Sequence, residues 1–118
     1  MRSVSEVLPP EEVQRLSAFR RSVEAVLPGS VRQVLLFGSR ARGEAQPDSD
    51  YDLAVLLRND VVGQQNVLEA VFDAAYEHVL AGFFFVPVAL PEDYLEPIDG
   101  HYQTELARRI GREGIVVP

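Results

Sequence analysis

The sequence contains no cysteine and no lysine. Without cysteine there is no disulfide framework, no thiol nucleophile and no cysteine-ligated zinc or iron–sulfur cluster, so stability has to come from packing. Without lysine there is no Schiff base, no lysine base and no phosphate loop of the G-K-[ST] type. Long apolar runs are missing as well. The longest uncharged stretch of membrane-like character, Val79 to Pro91, has 13 residues and two prolines, whereas a span needs roughly 20 apolar residues. The opening MRSVSEVLPPEE lacks the apolar segment of a secretory signal, so a cytoplasmic location is expected. All 11 basic residues are arginines, set against 18 acidic ones, and the formal net charge is −7. Such a balance disfavours long nucleic acids as partners, since loose binding to them needs a basic stripe.

What is present suits an ordinary globular chain: 118 residues, 47% hydrophobic and 25% charged, with no repeat and no composition break, so one domain over residues 1–118 is expected. Pro10, Glu11 and Glu12 open a helix to about Leu27, with Val13, Leu16, Phe19, Val23 and Val26 on one stripe. VRQVLLF, Val31 to Phe37, reads as a buried strand, and the Gly-Ser turn after it opens a short helix. A second largely apolar strand, Tyr51 to Leu57, follows the turn chemistry of QPDS. A further helix is expected between Gln64 and Leu80, then a strand from Phe83 to Leu90 in which Pro87 demands a sheet edge or a bulge. Residues from about Tyr102 to Arg112 look helical, and IVVP is either a short edge strand or a tail. The fold class expected is α+β: a two-layer α/β sandwich with a small mixed sheet of three to four strands and helices packed on it.

The chemistry concentrates between Phe37 and Leu53. Gly38-Ser39 stands where a buried strand becomes a helix, so backbone N–H groups and the Ser39 hydroxyl can hold an anion; the alternative is a glycine turn with Ser39 as a helix cap. Asp50 and Asp52, two apart on an expected strand, project from one face. Two carboxylates so placed repel unless water screens them or a cation such as Mg²⁺ or Mn²⁺ lies between them; the alternative is a solvated strand entrance. Arg40 and Arg42 follow the Gly-Ser turn, free either to grip phosphate oxygens or to pair with nearby acids such as Glu44 and Asp48.

Taken together, Gly38-Ser39, ten intervening residues and Asp50-Tyr51-Asp52-Leu53 resemble the signature of the DNA polymerase β-like nucleotidyltransferase superfamily. The form GSRARG…SDYDL is similar to its small prokaryotic branch, the minimal nucleotidyltransferases. The resemblance implies that Gly38 and Ser39, with Arg42 and less directly Arg40, hold the phosphates of ATP or another nucleoside triphosphate. It implies that Asp50 and Asp52 are catalytic and hold Mg²⁺ or Mn²⁺, and that a nucleoside monophosphate, AMP above all, passes to a protein or small-molecule hydroxyl. It also implies a partner, a helical HEPN-family protein, with this chain as the antitoxin of the pair.

Fully active members of that superfamily carry a third acid on the next strand, and the sequence aligns Pro87 with that position. Glu92 and Asp93, just beyond Leu90, are reserve candidates. The absent acid opens a second reading, a catalytically silent module that keeps the fold and works by occluding its partner. His78 and His101 belong to no metal-spaced cluster. Of the Phe83-Phe84-Phe85 run, alternation puts Phe84 on the face opposite its neighbours.

Overall fold

The computed structural model describes residues 1–118. Helix α1 spans Pro10–Val26, β1 Val31–Phe37, α2 Ser39–Arg42, β2 Tyr51–Leu57, α3 Asn59–Val62, α4 Val67–Leu80, β3 Phe85–Pro91, α5 Glu105–Glu113 and β4 Ile115–Val116. The strands form one mixed sheet in the order β3-β2-β1-β4. β1 runs antiparallel to both β2 and β4, while β2 and β3 are parallel. The two most buried strands are therefore the central ones, with neighbours on both sides. Pro87 lies on an edge strand, where a missing N–H costs no ladder bond.

α1 and α4 cover one face. Leu16, Phe19 and Val23 of α1 and Val67, Val71, Ala74 and Ala75 of α4 join Val34, Leu36, Leu53, Val55 and Leu57 in the larger core. The other face carries a smaller cluster, Leu35, Phe37, Ala54, Leu56, Leu90 and Ile110, over which α5 lies. The helices thus do not all stack on one side, because the C-terminal segment crosses to the second face before returning as β4. Thr104 caps α5, its hydroxyl accepting from the Ala107 N–H at 3.0 Å. Its seating leaves the strand ends at Phe37 and Asp52 beside the last turn of α5 rather than beneath a helix body.

Three local features were not legible beforehand. Val4–Glu6 form a 3₁₀ turn closed by a capping box from Ser3 and Glu6, which buries Val4. Ser3 bridges Val116, giving the two-residue β4 a neighbour on its outer side. α3 is a single turn after β2 that buries Val61.

Candidate functional site

β1 ends at Phe37, and the chain turns at Gly38 with φ +78° and ψ −161°, a conformation open essentially to glycine alone. A second constraint acts on the same residue. A Cβ at position 38 would lie 2.3 Å from Asp52 Oδ2, so the carboxylate occupies the space that glycine leaves empty. Register explains the meeting: Phe37 pairs with Asp52 across β1 and β2. The structure therefore brings the Gly38-Ser39 turn to Asp52, one member of the acidic pair.

Asp52 points to the α5 face, since its neighbours Tyr51 and Leu53 belong to the core beneath α1 and α4. Asp50 is exposed and stands just before β2 rather than inside it. Burial raises the Asp52 carboxyl above its ordinary value; the charges of Asp50 and Glu113 push the same way, and Arg109 and Arg42 oppose them. Asp52 thus carries a cost of ionisation that the two arginines offset only in part. No set of three or more acidic or histidine side chains converges anywhere on the chain. Two hard carboxylates short of positive charge fit a divalent cation that completes its ligands from water and phosphate oxygens.

Ser39 is the first residue of α2, whose cap position is Gly38, and its side chain makes no capping hydrogen bond. The cap reading of Ser39 is thereby set aside, and its hydroxyl is available at the turn. Gly43, in the left-handed conformation at φ +75°, ends this one-turn helix.

The two arginines part company. Arg42 Nη1 donates to Glu113 Oε1 at 3.0 Å, and its Nε donates to Glu44. Arg40 turns to the opposite side of the sheet, where its guanidinium lies 4.2 Å from the Tyr51 ring centroid and pairs with Glu12 at 3.5 Å. It also donates to the carbonyls of Ser49 and Pro47. The expectation that Arg40 holds phosphate is corrected accordingly: its donors are spent on the loop carrying Asp50. The Tyr51 hydroxyl donates to Glu12 and is pushed well above its ordinary pKa, by burial first and then by that bond.

α5 supplies two residues that sequence reasoning missed. Glu113 Oε1 accepts from the Gly38 N–H at 3.0 Å as well as from Arg42, so a carboxylate rests on backbone and side-chain donors expected for an anion. Arg109 lies over the Phe37 ring at 5.7 Å and favours the charged form of Asp52. Both fall in the run ELARRIGRE; the available signal was their spacing of four on one helix face, too common to single them out.

The third-strand expectations need correction. Pro87 pairs with Leu53 and is buried on the α1 and α4 face, the wrong side for a partner of Asp52. The residue level with Asp52 on its own face is Val86, 46% exposed. Glu92 follows Pro91, which pairs with Leu57 at the far end of β2, and it accepts from the Asn59 N–H at 3.0 Å. Five strand positions, about 16 Å, separate that end from Asp52, so neither Glu92 nor its neighbour Asp93 reaches back.

His78 is a core residue between Phe19 and Phe85, and neither ring nitrogen has a hydrogen-bond partner. His101 is exposed and bridges Ile98. Tyr94 shares a hydrogen bond with Thr104, and Tyr102 packs on Gly111. The largest cleft, about 510 Å³ and lined by His101, Tyr102, Arg108 and Arg112 among others, lies along α5. None of the predicted site residues lines it.

Comparison with known proteins bears on the fold and the family. No curated protein matches the sequence. The fold is similar to that of a nucleotidyltransferase candidate from Sulfolobus solfataricus, at TM-score 0.60 and 17% identity over 88% of this chain and 77% of that one. It is also similar to a chain in a toxin-antitoxin crystal structure with AMP-PNP, at TM-score 0.57 and 17% identity over 86% of this chain and 72% of that one. At such identities these likenesses speak for the fold. The model of the polymerase beta nucleotidyltransferase family matches residues 24–117, which takes in the turn, the acidic pair and α5, and the chain belongs to that family.

Proposed function

We propose that this protein transfers a nucleoside monophosphate, AMP from ATP in the first instance, to a hydroxyl of a partner protein. The observation that carries the reading is the meeting of Gly38 and Asp52, a glycine turn and one carboxylate of the acidic pair at one point. In this reading Ser39 and the Gly38 turn, with Arg42, hold the β- and γ-phosphates. Asp50 and Asp52 hold Mg²⁺ or Mn²⁺, which when bound would neutralise phosphate charge and polarise the α-phosphoryl group. The acceptor oxygen bonds to the α-phosphorus as the bridging bond to the β-phosphate breaks; pyrophosphate leaves and the hydroxyl proton is released. Arg40 serves the site indirectly, by pinning the Pro47 to Ser49 carbonyls that lead into Asp50.

The toxin-antitoxin neighbour supports a protein acceptor, and the resemblance names a helical HEPN-family toxin as its class, with this chain as antitoxin. A second reading has its own observation. Val86, not an acid, stands level with Asp52, and Glu113 rests on the Gly38 N–H and Arg42; both favour a silent module that binds and occludes.

Titration with ATP decides the shared part. Binding is expected with Mg²⁺ or Mn²⁺ and lost in excess chelator and in an Asp50→Asn/Asp52→Asn variant; metal-independent binding would overturn the assignment. Labelled ATP with a co-expressed helical partner separates the readings. Transfer by the natural chain supports the enzyme, whereas binding without transfer supports the silent module.

A further inference from the structure

We propose that the exposed apolar line running along α4 is the surface on which the partner protein docks, and that this partner flanks its own apolar stripe with basic side chains. The inference rests on the protein-acceptor reading for what lies at the end of that line. Leu68, Phe72, Tyr76 and Leu80 recur every four residues on the outer side of α4 and are 56%, 48%, 61% and 71% exposed. Four large apolar groups in line are not the scattered exposure of an ordinary surface. The core takes nothing from them, because the opposite side of α4 already supplies Val67, Val71, Ala74, Ala75 and His78.

Position connects this stripe to the candidate site. α4 ends at Leu80, Ala81 and Gly82 turn the chain, and β3 starts beside the start of β2. Phe84 and Val86, 44% and 46% exposed, lie apart from the stripe, on the opposite face of the sheet, the one that carries Asp52, with which Val86 is in register. β3 is an edge strand, so no further strand of this chain covers its outer side. A segment laid along the stripe leads toward the end of the sheet at which β2 begins.

Charge selects the occupant. Glu69, Asp73 and Glu77 form a row one residue on from the stripe, and α4 holds no arginine. A second copy on the same surface would meet an equally acidic row on a chain of net charge −7. A partner with arginines or lysines beside its apolar contacts meets opposite charge, which steers the encounter and fixes the register. Phe72 and Tyr76 are of the residue types that anchor interfaces.

The test uses the full chain and two synthetic amphipathic helical peptides with the same leucine stripe and one serine, flanked by arginines in one and by glutamates in the other. The chain is expected to sediment as a monomer and to bind the arginine peptide in a salt-sensitive manner. Phe72→Asp and Tyr76→Asp, both at exposed positions, are expected to weaken that binding by about tenfold or more while leaving melting temperature and ATP binding unchanged. A Glu69→Arg/Asp73→Arg variant is expected to prefer the glutamate peptide. The proposal is overturned if neither peptide binds, if flanking charge or Phe72→Asp makes no difference, or if the chain is a dimer that Phe72→Asp dissociates. Peptide binding needs no nucleotide. A chain that binds the arginine peptide as described yet ignores ATP with Mg²⁺ would keep the docking surface and remove the nucleotidyl-transfer reading.

Discussion

Replacing Gly38 by alanine tests the close packing on which the site depends. Two separable costs are expected. The backbone at φ +78° and ψ −161° lies in a region reserved for glycine, worth about 1 to 3 kcal/mol for a residue with a Cβ. The new methyl would also stand 2.3 Å from Asp52 Oδ2, forcing that carboxylate off its position at about 0.5 to 1.5 kcal/mol for a strained rotamer. The total is about 2 to 4 kcal/mol, or roughly 8 to 16 °C in melting temperature for a domain of this size. Urea denaturation of a double-mutant cycle separates the parts. In an Asp52→Ala background the nearest remaining atom is the Asp52 Cβ at 3.4 Å, an ordinary contact, so only the backbone cost should persist and about 1 kcal/mol of coupling should appear. Gly43→Ala is the control: its φ is +75° but nothing lies within 4 Å of the added Cβ, and about 1 to 2 kcal/mol is expected. An additive cycle would refute the claim that Gly38 is glycine to make room for Asp52.

Ser39→Ala should weaken ATP binding by about 1 to 3 kcal/mol, the range for a hydrogen bond to a charged group; because the hydroxyl caps nothing, an equal fall in melting temperature would contradict the site reading. Glu113→Gln should raise ATP affinity, by up to about tenfold, as the Gly38 N–H loses a charged acceptor that competes with phosphate; a fall in calorimetric affinity would make Glu113 part of the binding site instead. Asp52→Asn should stabilise the metal-free protein at neutral pH. The folded-state carboxyl is raised above 3.8, so its ionisation costs stability as pH rises through that raised value, and the advantage of asparagine should vanish in melts well below 3.8. His78 has its pKa lowered by burial, with Arg15 acting in the same sense and Glu77 against it; its contribution holds above 6.5 and is lost as pH falls below that. His78→Leu should remove this acid sensitivity and gain roughly 1 kcal/mol at neutral pH by replacing two unpartnered nitrogens. Val86→Asp, exposed and level with Asp52, should fold and, if a missing third acid limits transfer, speed it by about 10² to 10⁴; Pro87→Asp should instead unfold the chain by burying a charge.

The sheet was legible because its signals are local. Leu16, Phe19 and Val23 repeat at helical spacing, and Val34 to Phe37 and Leu53 to Leu57 are consecutive apolar runs of the kind that two central strands bury on both faces. Gly38, Ser39, Asp50 and Asp52 were legible for a related reason, since one β-hairpin carries all four and the Phe37–Asp52 pairing closes it. Pro87 shows where such reasoning ends. Its edge position follows from the missing N–H, but which face it occupies depends on the register between β2 and β3, and a shift of one residue exchanges faces. Arg40 and Arg42 show the same limit on a helix, because two residues apart on a single turn they diverge, one toward Tyr51 and one toward Glu113. The contribution of α5 was beyond reach altogether. Glu113 meets Gly38 across 75 residues, and only the crossing of the C-terminal segment to the second face of the sheet creates the contact. The open face of the site is therefore set by the part of the chain farthest from it in sequence. In that part, substitutions such as Glu113→Gln can change ligand affinity while the hairpin that holds the two carboxylates stays as it is.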